Sequence, residues 1–172
     1  MRTFIALDFT SNDKTALSQL IETLRKEAPR LKWTAISNLH ITLKFLGETS
    51  VQQVESIKQY LTGLSEFKKV FPVKFNEILF FPSASRPRVI ALQGVNPDLS
   101  PLALQIENTL CGMGFQPEKH VFQPHLTIAR LKEPSAVTIP ANLEIQLTCS
   151  GRIDFFESIL RLQGPEYRTL MK

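Results

Sequence analysis

Histidine is scarce in this chain. There are three in 172 residues, so any chemistry that needs imidazole must draw on His40, His120 or His125. Cysteine is scarcer still: Cys111 falls in a helical pattern and Cys149 in a strand pattern, with no motif around either. Two isolated cysteines do not make a disulfide framework, and they are expected as reduced, packed thiols. No HExxH, HxH or paired CxxC is present to complete a zinc ligand set, so neither a metal nor a cofactor is expected. Long apolar runs are also missing; nothing approaches the roughly 18 to 20 residues that cross a bilayer. The opening MRTFIALDFT carries Asp8 and no small-residue cleavage site, which argues against a secretory signal. These absences lead to the expectation of a cytoplasmic monomer with no membrane attachment and no obligate protein partner.

What is present is an ordinary globular composition, 43% hydrophobic and 21% charged. The length suits one well-cored domain over residues 1–172, or two small lobes that share a core. A net charge of +4 leans toward an anionic partner such as phosphate or nucleic acid without identifying either.

Along the chain, TFIALDF (3–9) is a β-branched and aromatic run that reads as a strand. A helix follows with Leu17, Leu20, Ile21 and Leu24 at helical spacing, Ser11 or Asn12 as cap and Pro29 as its stop. LKWTAISN is a short extended piece with a turn, HITLKFL a strand, and the next helix opens on a Ser50/Gln53 capping box with Val54, Ile57 and Leu61 on its buried face. VFPVKFNEILFFP and RPRVIALQGV read as antiparallel strands across an Arg-bearing loop. A third helix starts with Ser100 as cap and Pro101 in its first turn and stops at Gly114. HLTIARL is a strand, KEPSAVTIPAN a connection, and LEIQLTCSGRI, DFFESILRLQ and YRTLMK are closing strands with a turn at Gly164–Pro165.

Two of the three histidines stand in matching strings. LHITLKFLGE (39–48) and PHLTIARLKE (124–133) align without a gap, setting His40 on His125, Thr42 on Thr127, Leu46 on Leu131 and Glu48 on Glu133. Each half runs strand, helix, then a strand bearing His-x-Thr, the pattern of an internal duplication. Side chains alternate along a strand, so His and Thr share one face of each string while Ile41 and Leu43, or Leu126 and Ile128, take the other.

If a twofold axis relates the halves, two imidazoles and two hydroxyls line one cleft. That inventory suits phosphoryl chemistry without a metal. One neutral imidazole takes a proton from the attacking water and one protonated imidazole gives a proton to the leaving oxygen. The hydroxyls donate to non-bridging oxygens, where charge builds in the transition state.

These strings, together with RTFIALDF, KWTAISNLH, the loop FPSASRPRVI and the approach to the second motif, resemble the 2H phosphoesterase superfamily, and within it the RNA 2',3'-cyclic phosphodiesterase, or 2'-5' RNA ligase, branch. The resemblance spans nearly the whole chain. It implies an α+β, bilobal fold with two antiparallel sheets facing a central groove and helices outside. It also implies hydrolysis of a terminal 2',3'-cyclic phosphate on RNA to a 2'-phosphate, with 2'-5' ligation as a reverse-type activity. Carried onto this chain, His125 becomes the base, His40 the acid, and Thr42 and Thr127 the phosphate clamps. Arg130 ends the second motif where relatives contact phosphate, but strict alternation turns it away from His125 unless a bulge or the strand end brings it back. Phe45 holds the matching place in the first half, where it can stack on a base, though parity sends it to the core. Trp33, Arg86 and Arg88 are weaker candidates for RNA contact, and His120 is given no role. Two alternatives stay open: a sister enzyme for a 2'-5' oligonucleotide or ADP-ribose cyclic phosphate, and an RNA-end binding module without turnover.

Overall fold

The apolar run at the start of the chain is a central strand, β1 (Arg2–Phe9), paired on both edges. In this computed structural model, residues 1–133, 137, 145–162 and 164–171 are described. They form α1 (Ser11–Glu27), β2 (Lys32–Trp33), a 3₁₀ turn (Ile36–Asn38), β3 (His40–Glu48), α2 (Val51–Gly63), β4 (Phe71–Phe81), β5 (Val89–Val95), α3 (Leu99–Gly112), β6 (His125–Arg130), β7 (Leu147–Arg161) and β8 (Gly164–Thr169). The protein is α+β with an antiparallel sheet.

Local chemistry explains the helix starts, with two changes from the expected caps. Thr10, not Ser11 or Asn12, caps α1: its hydroxyl accepts from the Asp13 N–H at 3.2 Å. Helix α2 begins on the full Ser50/Gln53 capping box. In α3 the cap position falls on Asp98, with no side-chain cap bond, so Ser100 is already inside the helix. Gly114 follows the C-terminus of α3 at φ +90°, a conformation that glycine adopts without steric cost. At the other end of the chain, the first two of the three expected closing strands merge into one long β7, the third falls in β8, and Gly164–Pro165 opens β8 rather than making the turn. The proposed connection at 132–142 lies largely outside the described residues.

The strand order is β1-β3-β6-β5-β4-β7-β8, with β2 on β6, and β1 also pairs with β7. The path therefore closes on itself. Hydrogen bonding makes this one sheet, where two separate ones were expected, but the junction of β3 with β6 rests on a single pair, Ile41 with Leu126. The second junction is in β7, where Gly151 faces both Phe71 of β4 and Phe9 of β1. One face of the strands carries Ile5, Leu7, Ile41, Leu92, Leu126 and Ile128, which share a continuous core with the apolar stripes of all three helices. The opposite face holds a small separate cluster of Phe4, Ala6 and Phe156 with Tyr167 against it.

Candidate active site

Ile41 and Leu126 are buried and directly opposed, so their flanking residues must project from the other face of the same junction. Those residues are His40, Thr42, His125 and Thr127. In a regular antiparallel ladder the two histidines then sit on a diagonal, with backbones about 7–8 Å apart. All four line one cavity of about 780 Å³.

The two rings are held in the same way. The carbonyl of Asn38 lies 2.7 Å from Nδ1 of His40, and the carbonyl of Gln123 lies 2.7 Å from Nδ1 of His125. A carbonyl can only accept, so each Nδ1 carries a proton, which leaves Nε2 as the working nitrogen of the neutral ring. Nε2 of His40 is 3.0 Å from the Thr42 hydroxyl.

Burial pushes the His40 imidazole down to about 4; the Asn38 carbonyl and the Asp8 carboxylate pull it up, and Lys14 and His125 push it down. Its ring packs 4.9 Å from Phe4 and edge-on to Tyr167 at 5.2 Å between centroids. In the free protein at neutral pH, His40 is therefore an uncharged ring in an aromatic niche. His125 has its own aromatic neighbour, Phe81, at 5.2 Å.

Phe45 and Arg130 reach the cavity by one device used twice. In β3, Ala6 pairs with Thr42 and Ile5 with Lys44, so Leu43 is an extra residue. In β6, Ala91 pairs with Thr127 and Ile90 with Ala129, so Ile128 is extra. Each is a β-bulge, after which alternation resumes one residue out of step. Leu43 and Lys44 are consecutively buried, as are Ile128 and Ala129. The next residue in each strand then returns to the histidine face. Parity alone had sent Phe45 to the core; the bulge leaves it 62% exposed on the cavity wall, and it brings Arg130 there too.

The same device drives Lys44 inward. Its side chain is 1% exposed, and the ammonium is met by the Gln116 carbonyl at 2.6 Å and Glu107 at 2.8 Å.

Trp33 also edges the cavity, although its indole N–H donates to the Ala28 carbonyl and its ring packs against the helix-side core. Arg86, Arg88 and His120 are exposed and are not among the residues that line it. Tyr167 and Phe81 were not singled out from the sequence. Tyr167 comes beside His40 only because β8 pairs with the far end of β7, and no local motif announces that. Burial raises its phenol, an effect opposed by Arg130 and Arg2. The cysteines stay outside the site: Cys149 is buried, its thiol pushed up to about 12 by desolvation and Asp13.

Comparison with known proteins agrees with this arrangement. A family described as LigT like Phosphoesterase matches residues 8–91 and 93–155. An RNA 2',3'-cyclic phosphodiesterase of Aeropyrum pernix is 32% identical over 165 residues, 90% of this chain and 92% of that protein. One of Aquifex aeolicus is 30% identical, covering 97% and 93%. Among solved structures, Escherichia coli LigT complexed with 3'-AMP superposes with a TM-score of 0.79 at 25% identity, covering 98% of this chain and 94% of that one. A protein of Thermus thermophilus shares the fold at a TM-score of 0.85 and 23% identity, covering 99% and 95%. With both His-x-Thr strands on one cavity wall and the family match running through each of them, this chain belongs to the LigT-like phosphoesterases of the 2H superfamily.

Proposed function

We propose that the protein hydrolyses the terminal 2',3'-cyclic phosphate of RNA to a 2'-phosphate, using His40 and His125 as its acid/base pair and no metal ion. The observation that carries this reading is the matched pair of imidazoles on one cavity wall, each pinned through Nδ1, which leaves Nε2 as the nitrogen that exchanges the proton. One ring takes a proton from water as its oxygen attacks phosphorus. The bond from phosphorus to the 3'-oxygen breaks, and the other ring protonates that oxygen. Thr42 and Thr127 donate to the non-bridging oxygens, and Arg130 adds positive charge at the cavity edge. Phe45 offers an exposed ring face to a base. When a 5'-hydroxyl attacks in place of water, the same steps leave a 2'-5' linkage.

The domain reading follows from the same geometry. We take residues 1–172 as one domain of two pseudo-symmetric halves about a central groove; the matched bulges and matched Nδ1 contacts support it. Among the described residues no helix is long and apolar enough to cross a membrane. We take the protein to act in the cytoplasm as a monomer.

The resemblance makes His40 the acid, yet its niche keeps it neutral when the cavity is empty. The two fit together when substrate binds. An anionic phosphodiester beside Nε2 stabilises the protonated ring and raises its pKa.

The reading is tested with an RNA ending in a 2',3'-cyclic phosphate, incubated with the protein in EDTA. Turnover to a 2'-phosphate is expected, and His40→Ala or His125→Ala lowers the rate at least about a hundredfold with the fold retained. Wild-type rates from either variant refute the pair. Activity confined to a 2'-5' oligonucleotide or ADP-ribose cyclic phosphate identifies the sister enzyme, and binding without turnover identifies an RNA-end binder.

A further inference from the structure

The two histidines are held alike but are not surrounded alike. In register, His40 stands beside Asp8 of β1, and His125 stands beside Gln93 of β5. Asp8 shares the face of His40, because Phe4 and Ala6 on the same strand form the cluster beneath Tyr167. Its carboxylate pairs with the Lys14 ammonium at 2.6 Å. That ammonium also donates to the Ser37 carbonyl at 3.3 Å, inside the 3₁₀ turn whose next carbonyl, that of Asn38, takes the Nδ1 proton of His40. The second half carries a neutral amide in the place of Asp8. Among the described residues no ion pair involves Gln93 or residues 119–124.

We propose that Asp8 and Lys14 are a positioning pair that makes the two matched histidines unequal: the carboxylate favours a proton on His40, and the ammonium, tied to both Asp8 and the 3₁₀ turn, holds the ring's anchor in place. This rests on reading His40 and His125 as the acid/base pair. It adds a structural reason for their division of labour, since only His40 has a carboxylate neighbour across the strand to support the charged form. The groups facing His40 are Asp8 from β1, Lys14 from α1, His125 from β6 and Tyr167 from β8. Arg152 and Asp154 of β7, paired with Asp8 and Ala6, are on the same face one strand further out, across β1 from His40, and Asp154 acts on Asp8 and Lys14. Of the charged groups that act on His40, Asp8 alone is an anion.

The test follows the imidazole Hε1 resonances of His40 and His125 by NMR titration, alongside kcat and KM, in the wild type, Asp8→Asn, Asp8→Glu and Lys14→Gln. Asp8→Asn is expected to move the His40 midpoint to lower pH and Lys14→Gln to higher pH, while His125 moves less in both. Asp8→Glu keeps the charge and brings the midpoint back toward wild type. With Asp8→Asn, kcat falls about tenfold or more with little change in KM. A His40 midpoint unmoved by both charge-removing variants overturns the proposal, as does movement in the same direction, which would indicate simple loosening of the turn. Failure of the underlying reading shows separately, as retained turnover in His40→Ala.

Discussion

His40 is an imidazole stripped of water, and this has a consequence for stability apart from any reaction. Its folded pKa lies near 4, below the ordinary 6.5, so as pH falls the unfolded chain binds the proton first. The stabilising contribution is complete above about 6.5 and is lost progressively down to about 4. Between pH 7 and 4.5 this amounts to about 2–3 kcal/mol. Urea melts of the wild type and His40→Gln at those two pH values are expected to differ accordingly, with the variant losing less stability on acidification; carboxylate titration is common to both and cancels. Equal losses would remove the desolvated-histidine account. At this scale the sequence was legible where a residue type repeats. His40, Thr42, His125 and Thr127 announce themselves by matched spacing. Tyr167 and Phe81 do not, because a lone aromatic in a strand has the same local pattern whether it faces a core or an imidazole in a cavity.

Helices and strands were legible to the extent that their signals are local. The α2 capping box and its Val54, Ile57 and Leu61 stripe are written in consecutive residues, and the structure has them all. The bulges are not written that way. Leu43 and Ile128 are ordinary strand residues, and they become extra only against the partners β1 and β5, so Phe45 was misdirected by a parity that holds only for an unbroken ladder. The single-pair junction is likewise a property of two elements. It is crowded from behind: a Cβ at Gly94 of β5 would come within 2.9 Å of Ile41 Cδ1 and 3.1 Å of Val73 Cγ1. Glycine at 94 therefore lets Ile41 seat against β5 and hold β3 to β6. Gly94→Val is expected to cost about 1–3 kcal/mol through overpacking. By displacing Ile41 it also separates the two histidine strands, so turnover should fall by more than the folded fraction does. Activity per folded molecule, with folded fraction measured by circular dichroism, checks this; wild-type specific activity would show that the junction tolerates the shift.

Across the whole molecule, β7 ties the two halves together. Its first residues pair with β4, its middle with β1 and its end with β8, and the change of partner falls at Gly151. A long strand shared in this way means that neither half has a complete sheet of its own. Its length was not legible because the sequence there reads equally well as two strands, and pairing with β4 and then β1 is what makes it one. At the change of partner a Cβ on Gly151 would sit 3.2 Å from Leu7 Cβ and 3.3 Å from both Leu7 Cδ1 and the Phe9 ring. Leu7 and Phe9 belong to the core shared with the helices, so strain introduced there is felt in both halves at once. Gly151→Val is expected to lower stability by about 1–3 kcal/mol. It should shift the denaturation midpoint while leaving one transition with an unchanged m-value, because the halves share a strand and unfold together. Tryptophan fluorescence reports Trp33 on β2, against the second half's β6, and circular dichroism reports the whole chain. Coincident curves from the two probes are expected in both proteins, and separated curves in the variant would mean that β7 does not make the halves one cooperative body.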